Sequence, residues 1–144
     1  MPQEHQEMLA QHLRQAYRGA VQAELDAAGL HEVSHPLLLC ILQGAAQDQG
    51  LTQRELAQRL EVSPAAVTTS LKSLEKRGYI HREPEPGDAR RNRVSLTEKG
   101  QRAVEACTGC FQRVNMRMAR GLSEEEKEQM RRLFRKMLDN LRNP

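Results

Sequence analysis

The spacing of hydrophobic positions changes several times along the chain, and each change marks an element. Over residues 4–29, Leu9, Leu13, Ala16, Tyr17, Ala20, Leu25 and Ala28 recur at steps of three and four, which predicts one long helix stopped by Gly29. Ser34-His35-Pro36 predicts the start of a second helix, with Ser34 as cap and proline in the first turn, where no N–H is needed. Residues 37–42 are apolar on every side, which predicts a helix sunk in the core. After a break at Gln49-Gly50-Leu51, the segment Thr52-Gln53-Arg54-Glu55 predicts a capping box that opens a short helix to Leu60. Ser63-Pro64 opens another, running to Arg77 with Val67, Leu71 and Leu74 inward and Gly78 as its end.

The period then drops to two. Residues 79–82 predict a strand, Pro84-Glu85-Pro86-Gly87-Asp88 a loop without regular structure, and residues 91–96 a second strand. In that strand Asn92, Val94 and Leu96 share one face, and Arg91, Arg93 and Ser95 share the other. Thr97 then caps a long helix with a seven-residue stripe of Val104, Cys107, Phe111, Val114 and Met118, ended by Gly121. Ser123-Glu124-Glu125-Glu126 is a further capping box, and Met130, Leu133, Phe134, Met137, Leu138 and Leu141 line one side of the last helix. The expected fold is mainly α with a small β-hairpin wing: a winged helix-turn-helix over residues 33–100, dimerisation helices at 1–32 and 119–144, and a long helix at 97–120 linking the two.

Charge sharpens this picture. The total is only +3, but residues 1–51 carry net −4, residues 52–100 net +3 and residues 101–144 net +4. Arg90, Arg91 and Arg93 fall within four positions, so the wing is the place for an anionic partner. Other classes fall away. No apolar run approaches the roughly 18 residues of a membrane span. The start, Met1-Pro2-Gln3-Glu4-His5, is polar with no apolar signal segment after it, and three unevenly spaced cysteines do not make a secreted disulfide scaffold. A cytoplasmic protein with no membrane partner is expected. Without Trp, and with two Phe and two Tyr, stacking of single-stranded bases is disfavoured.

Double-stranded DNA fits the constellation better. A helix whose exposed start carries small side chains can enter a major groove, and the helix opened by Ser63 offers Ala65, Ala66, Thr68, Thr69 and Ser70 there, with Lys72 further along. Arg90 and Arg91 at the wing can follow the phosphate backbone or enter a narrow minor groove. A helix-turn-helix used only for packing is the alternative, and the arginine-bearing hairpin directly after it argues against that.

The segment VSPAAVTTSLKSLEKRGYI (residues 62–80), followed by Gly87-Asp88-Ala89-Arg90 and Leu96-Thr97-Glu98-Lys99-Gly100, resembles the MarR family of bacterial transcription regulators. The wing pattern of that family, Asp-x-Arg and then Leu-Thr-x-x-Gly after a short variable stretch, is met by Asp88, Arg90, Leu96, Thr97 and Gly100. The resemblance implies a winged-helix homodimer that represses its own operon and neighbouring genes. It implies that Ser63, Ala65, Thr68, Thr69 and Lys72 face the major groove, that Arg90 reaches the minor groove, and that Asp88 holds a wing arginine in place. Dimerisation has its own argument. The end helices carry apolar stripes with no place in a compact DNA-binding unit, and pairing them across a two-fold axis buries both. It also sets two recognition helices about one DNA turn apart, suited to a pseudo-palindromic operator.

The signal is less defined. The resemblance implies an effector site between the junction of the first two helices, the long helix and the winged region, with Tyr17, His35, Leu37, Leu38 and Cys107 as its lining and a small aromatic acid or phenol as one ligand class. Cys107 and Cys110, three apart on a helix, share a face and could ligate one metal ion; with His31 and His35 they form a second set, for zinc, another metal or reversible cysteine oxidation. Cys107 also sits on an apolar stripe, where a free cysteine serves as a small core residue, and Cys40 reads as core outright. The reading from residues alone is a dimeric DNA-binding regulator, a repressor released by a small-molecule, metal or redox signal. A thiol- or metal-handling enzyme using Cys107 and Cys110 is the alternative, against which stands the position of the pair well inside a helix, away from the N-terminal dipole that activates a thiol. A helical interaction protein without DNA function is the third.

Overall fold

The computed structural model describes residues 5–31, 33, 35–45 and 51–144, with the side chains of residues 44, 45, 85 and 88–91 left out. The elements run α1 (Gln6–Ala27), α2 (Pro36–Ala45), β1 (Leu51–Thr52), α3 (Gln53–Leu60), α4 (Pro64–Lys76), β2 (Ile80–Glu85), β3 (Asp88–Leu96), α5 (Glu98–Met118) and α6 (Glu124–Arg142). The expected caps on Ser34 and the break at Gln49-Gly50 lie outside the described residues. Elsewhere the caps are made by side chains. Thr52, Ser63, Thr97 and Ser123 each accept from the backbone N–H three residues on. Ser123 closes the full reciprocal box, with its own N–H on Glu126 Oε1 at 3.0 Å. At Thr52 the bond runs one way only among the described residues, so the box expected there is a simple cap.

One core joins α1 to α5 with the winged region. Leu38, Leu39 and Leu42 of α2 meet Val104, Cys107 and Cys110 of α5, and Leu56, Val67, Leu71 and Leu74 close the helix-turn-helix. The all-round apolar helix α2 is not fully sunk: Leu37 is 55% exposed, because it opens onto a cavity rather than a neighbouring helix. Helix α1 is anchored by its C-terminal half, where Val21 and Leu25 are buried and Glu24 pairs with Arg113 of α5 at 2.8 Å. Its N-terminal apolar positions, Met8, Leu9 and Leu13, face outward, and α6 buries none of its residues within the chain.

The wing is larger than the sequence predicts. The sheet has three strands, in the order β1-β3-β2, all antiparallel, because Leu51 and Thr52 pair with Val94 and Arg93 ahead of α3. The segment expected to be an irregular loop is mostly strand: Pro84 pairs with Asn92, and Glu85 with Asp88. Proline survives there because β2 is an edge strand, where a missing N–H leaves no ladder bond unmade, and the register shifts at Pro84/Glu85. Only Pro86 and Gly87 remain as the turn, with Gly87 at φ +86°, a left-handed angle that follows proline in a tight turn.

The segment from Leu96 to Gly100 fastens α5 to the connection between α4 and β2. Thr97 Oγ1 donates to the Gly78 carbonyl at 2.6 Å, and Lys99 Nζ donates to the Arg77 carbonyl at 2.7 Å while lying 4.5 Å above the Tyr79 ring. Gly100 is required by contact. A Cβ there would lie 2.0 Å from the Tyr79 carbonyl oxygen.

Candidate nucleic-acid interface

Helix α4 has two faces with different neighbours. Val67, Leu71 and Leu74 are in the core, while Ser63, Ala65, Thr69 and Lys72 are exposed and Thr68 is half-buried. Ser70, expected with the exposed group, is 6% exposed and donates to the Ala66 carbonyl at 3.0 Å, so it belongs to the inner face. The two threonines also bond back along the helix: Thr68 Oγ1 donates to the Pro64 carbonyl at 2.9 Å, and Thr69 Oγ1 to the Ala65 carbonyl at 3.2 Å.

Two side-chain links tie this helix to the wing, and the sequence did not signal either. Asn92 Nδ2 of β3 donates to Gln53 Oε1 at 3.3 Å, and Gln53 Nε2 donates to Thr68 Oγ1 at 3.4 Å. Arg82 of β2 bonds Glu75 of α4 at 2.7 Å. The hydrogen bond from Arg82 holds the Glu75 carboxyl below its ordinary range, and the same bond raises the Arg82 guanidinium. No spacing rule finds these pairs, since they join residues 7 to 39 positions apart across two elements. Asp88, Arg90 and Arg91 lie on the first residues of β3, next to the Pro86-Gly87 turn, and their side chains are outside the described set. Arg93, further along β3, is half-buried.

Behind α4 lies a cavity of about 500 Å³. Helix α1 contributes Tyr17 and Arg18, the connection to α2 contributes His31 and His35, and α2 contributes Leu37 and Leu38. Its far wall is the inner face of α4, at Ala66, Val67 and Ser70. Of the residues expected to line an effector site, Tyr17, His35, Leu37 and Leu38 meet here. Cys107 does not: it is fully buried, and Phe111, one turn later on α5, takes the lining position.

The expected metal set is not assembled. Among the described residues no three His, Cys, Asp or Glu side chains form a group able to hold a metal ion. The reason is separation by burial. His31 and His35 open onto the cavity, whereas Cys107 and Cys110 are 0% exposed between α5 and its neighbours. Burial, with the Cys40 and Cys110 thiols nearby, pushes Cys107 up to about 12, far from a reactive thiolate. Cys40, expected in the core, is half-buried at its edge, with Sγ 3.9 Å from Thr108 Oγ1. No helix of the described residues is long and apolar enough to cross a membrane.

Comparison with known proteins agrees with this architecture. A family model described as "MarR family" matches residues 29–91. The transcriptional regulator HosA of Escherichia coli O111:H- is 30% identical over 99 residues, covering 69% of this chain and 73% of HosA. An uncharacterized HTH-type transcriptional regulator of Bacillus subtilis, YdgJ, is 30% identical over 93 residues, covering 65% of this chain and 57% of YdgJ. Among solved structures, the S. aureus MepR–DNA complex superposes with a TM-score of 0.86 at 28% identity, over 98% of this chain and 99% of that one. A mutant MarR from E. coli complexed with operator DNA gives 0.80 at 26% identity, over 90% and 91%. The fold, the helix-turn-helix and the wing pattern thus converge on one assignment: the chain belongs to the MarR family of transcription regulators.

Proposed function

We propose that this protein binds double-stranded DNA as a homodimer and acts as a cytoplasmic repressor released by a small molecule, without catalysing a reaction. The observation that carries the DNA reading is the outward face of α4, where Ser63, Ala65, Thr69 and Lys72 are exposed and Thr68 is half-buried, beside a wing whose strand β3 opens with Asp88, Arg90 and Arg91. Structural neighbours of the same architecture were solved with DNA. Residues 33–100 serve as the DNA-binding region, α5 (within 97–120) as the link, and 1–32 with 119–144 as the dimerisation region. The support for a dimer is the unburied stripe of α6: Leu133, Phe134, Met137 and Leu138 are each more than 40% exposed, a contiguous apolar face that water disfavours. A second copy covers it through a two-fold axis, which also spaces the recognition helices for a pseudo-palindromic site. Asp88 then acts within the wing, and Arg90 and Arg91 on the phosphates or the minor groove.

The cavity supports a small-molecule effector. Its volume lies within the ~300–1,000 Å³ of small-ligand sites, with an apolar body at Tyr17, Leu37 and Leu38 and basic groups at Arg18, His31 and His35. The sealed positions of Cys107 and Cys110 do not favour a metal or an oxidant as the signal. Binding to a duplex from upstream of the protein's own gene, measured at several salt concentrations against a scrambled duplex, tests the reading. Selective binding that weakens steeply with added salt is expected. Replacing Arg90 and Arg91 by alanine should lower the salt slope by roughly 0.9 for each phosphate left without its arginine. Equal, weak binding to both duplexes at every salt overturns it.

A further inference from the structure

Resting on the DNA-binding reading above, we propose that α4 recognises thymine methyl groups in the major groove, with Thr68 and Thr69 presenting their methyls while their hydroxyl hydrogens stay on the helix backbone. A threonine hydroxyl has one hydrogen to give. That of Thr68 is on the Pro64 carbonyl at 2.9 Å, and that of Thr69 is on the Ala65 carbonyl at 3.2 Å. The Thr68 oxygen also accepts from Gln53 Nε2 at 3.4 Å, and Gln53 is itself held by Asn92 of the wing at 3.3 Å. What remains for a partner is the Cγ2 methyl and the unused oxygen lone pairs, on an exposed Thr69 and a half-buried Thr68.

The rest of the helix start has the same character. Residues 64–70 are Pro, Ala, Ala, Val, Thr, Thr and Ser, and none carries the guanidinium or amide fork that reads guanine or adenine with two hydrogen bonds. Ala65 adds another exposed methyl. Of the four bases, thymine alone projects an apolar group into the major groove. Turning a threonine hydrogen toward a base acceptor would exchange one hydrogen bond for another with little gain. Placing the methyl against the thymine methyl leaves both hydroxyl bonds in place. The Gln53–Asn92 link acts as a positioning device that holds the Thr68 rotamer from the side of the wing.

The test uses the full-length protein. A duplex library randomised over about two helical turns is enriched by binding to the wild type, and the selected duplex is then resynthesised with deoxyuridine at each thymine in turn. Removing a methyl that α4 touches is expected to weaken binding about fourfold, from ~0.8 kcal/mol per buried carbon group. Thr68→Val and Thr69→Val, which keep a methyl and remove the hydroxyl, should retain the preference for thymine over uracil. Thr68→Ser and Thr69→Ser should lose it, with helix content checked by circular dichroism. Enrichment of a sequence whose affinity is unchanged by every uracil overturns the proposal while leaving the DNA reading intact. So does a pattern in which the serine variants bind like wild type and the valine variants do not. A library that yields no enriched sequence overturns both.

Discussion

Replacing Gly100 by alanine tests whether the start of α5 is seated on the α4–β2 connection as described. The added Cβ would fall 2.0 Å from the Tyr79 carbonyl oxygen, 3.1 Å from its carbon and 3.2 Å from Leu96 Cδ2. Two of these three are backbone atoms, which cannot swing aside. Relief requires the helix start to back away until the first contact reaches the 3.4 Å of ordinary van der Waals approach. That movement pulls on Thr97 Oγ1 at the Gly78 carbonyl (2.6 Å), on the Thr97 N–H at the Tyr79 carbonyl (3.2 Å) and on Lys99 at the Arg77 carbonyl (2.7 Å). Overpacking costs about 1–3 kcal/mol, and each hydrogen bond broken adds roughly 0.5–1.5. Alanine returns at most about 1 kcal/mol of helix propensity, and less here because the site is in the first turn rather than the interior. The net expectation is a loss of about 2–4 kcal/mol. Urea unfolding at one fixed chain concentration measures it, since a dimer's midpoint moves with concentration. Gly109→Ala is the contrasting control: its Cβ would meet only Arg113 Nη1 at 3.3 Å, the end of a long side chain that can shift by a few tenths of an ångström while keeping its Nε bond to Glu24, so stability should hold or rise. A Gly100→Ala protein within about 0.5 kcal/mol of wild type would refute the close approach.

Glu75→Gln should cost less than about 1 kcal/mol, because the pair with Arg82 is partly exposed. The Glu75 pKa is lowered in the folded state, so the ionic part of this difference is full above the ordinary value of 4.5 and fades as the pH falls below it through the folded pKa. Urea midpoints of both proteins across that range would show convergence in acid; a gap that widened there would reverse the sign of the argument. A disulfide reagent at neutral pH should label Cys107 and Cys110 no faster than the protein unfolds, as both are fully buried, and should find three thiols in denaturant; prompt labelling of Cys107 in the native protein would contradict its seat. Phe134→Glu combined with Leu138→Glu puts two carboxylates on the exposed stripe of α6, so sedimentation should report a monomer that retains helix content and has lost selective DNA binding. A dimer that persisted would place the interface elsewhere.

The elements with a clear period or a capping residue were legible before the structure. The stripe of Val67, Leu71 and Leu74 and the caps at Ser63, Thr97 and Ser123 rest on local rules, and local rules suffice for helices. The third strand was not legible. Leu51-Thr52 is two residues long, too short for any alternation, and it becomes a strand only because β3 offers it a partner. Strand through Pro84 was hidden for the same reason: whether a proline can sit in a sheet depends on whether its strand is an edge, which is a property of the sheet order. At the site, the exposure expected along α4 is found at Ser63, Ala65, Thr69 and Lys72, whereas Thr68 is half-buried, Ala66 borders the cavity, and Ser70 satisfies itself on its own helix and turns inward. The cysteines show the limit of motif spacing. Two thiols three residues apart share a helix face in every such helix, but only packing decides whether that face meets a ligand or a core, and here Cys107 and Cys110 meet the core.

The arrangement also argues for where control enters. Helix α4 is a single element of 13 residues, with Ala66, Val67 and Ser70 on the cavity and Ala65, Thr68, Thr69 and Lys72 facing away. A packed helix moves as a unit, so an occupant that displaces the inner face displaces the outer face by the same amount. DNA sets a fixed distance between half-sites, and a dimer has to match it with both recognition helices together. An effector need not touch DNA or any DNA-contacting side chain. It needs only to favour a spacing the operator does not match. By reciprocity, a ligand that binds the mismatched form 100-fold better, about 2.7 kcal/mol, weakens the operator complex by up to the same factor. The links from α4 to the wing, Thr68 through Gln53 to Asn92 and Glu75 to Arg82, would pass such a displacement to β3 and β2. Recognition helix and wing would then leave the operator register together, with Arg18, His31 and His35 on the cavity side opposite α4.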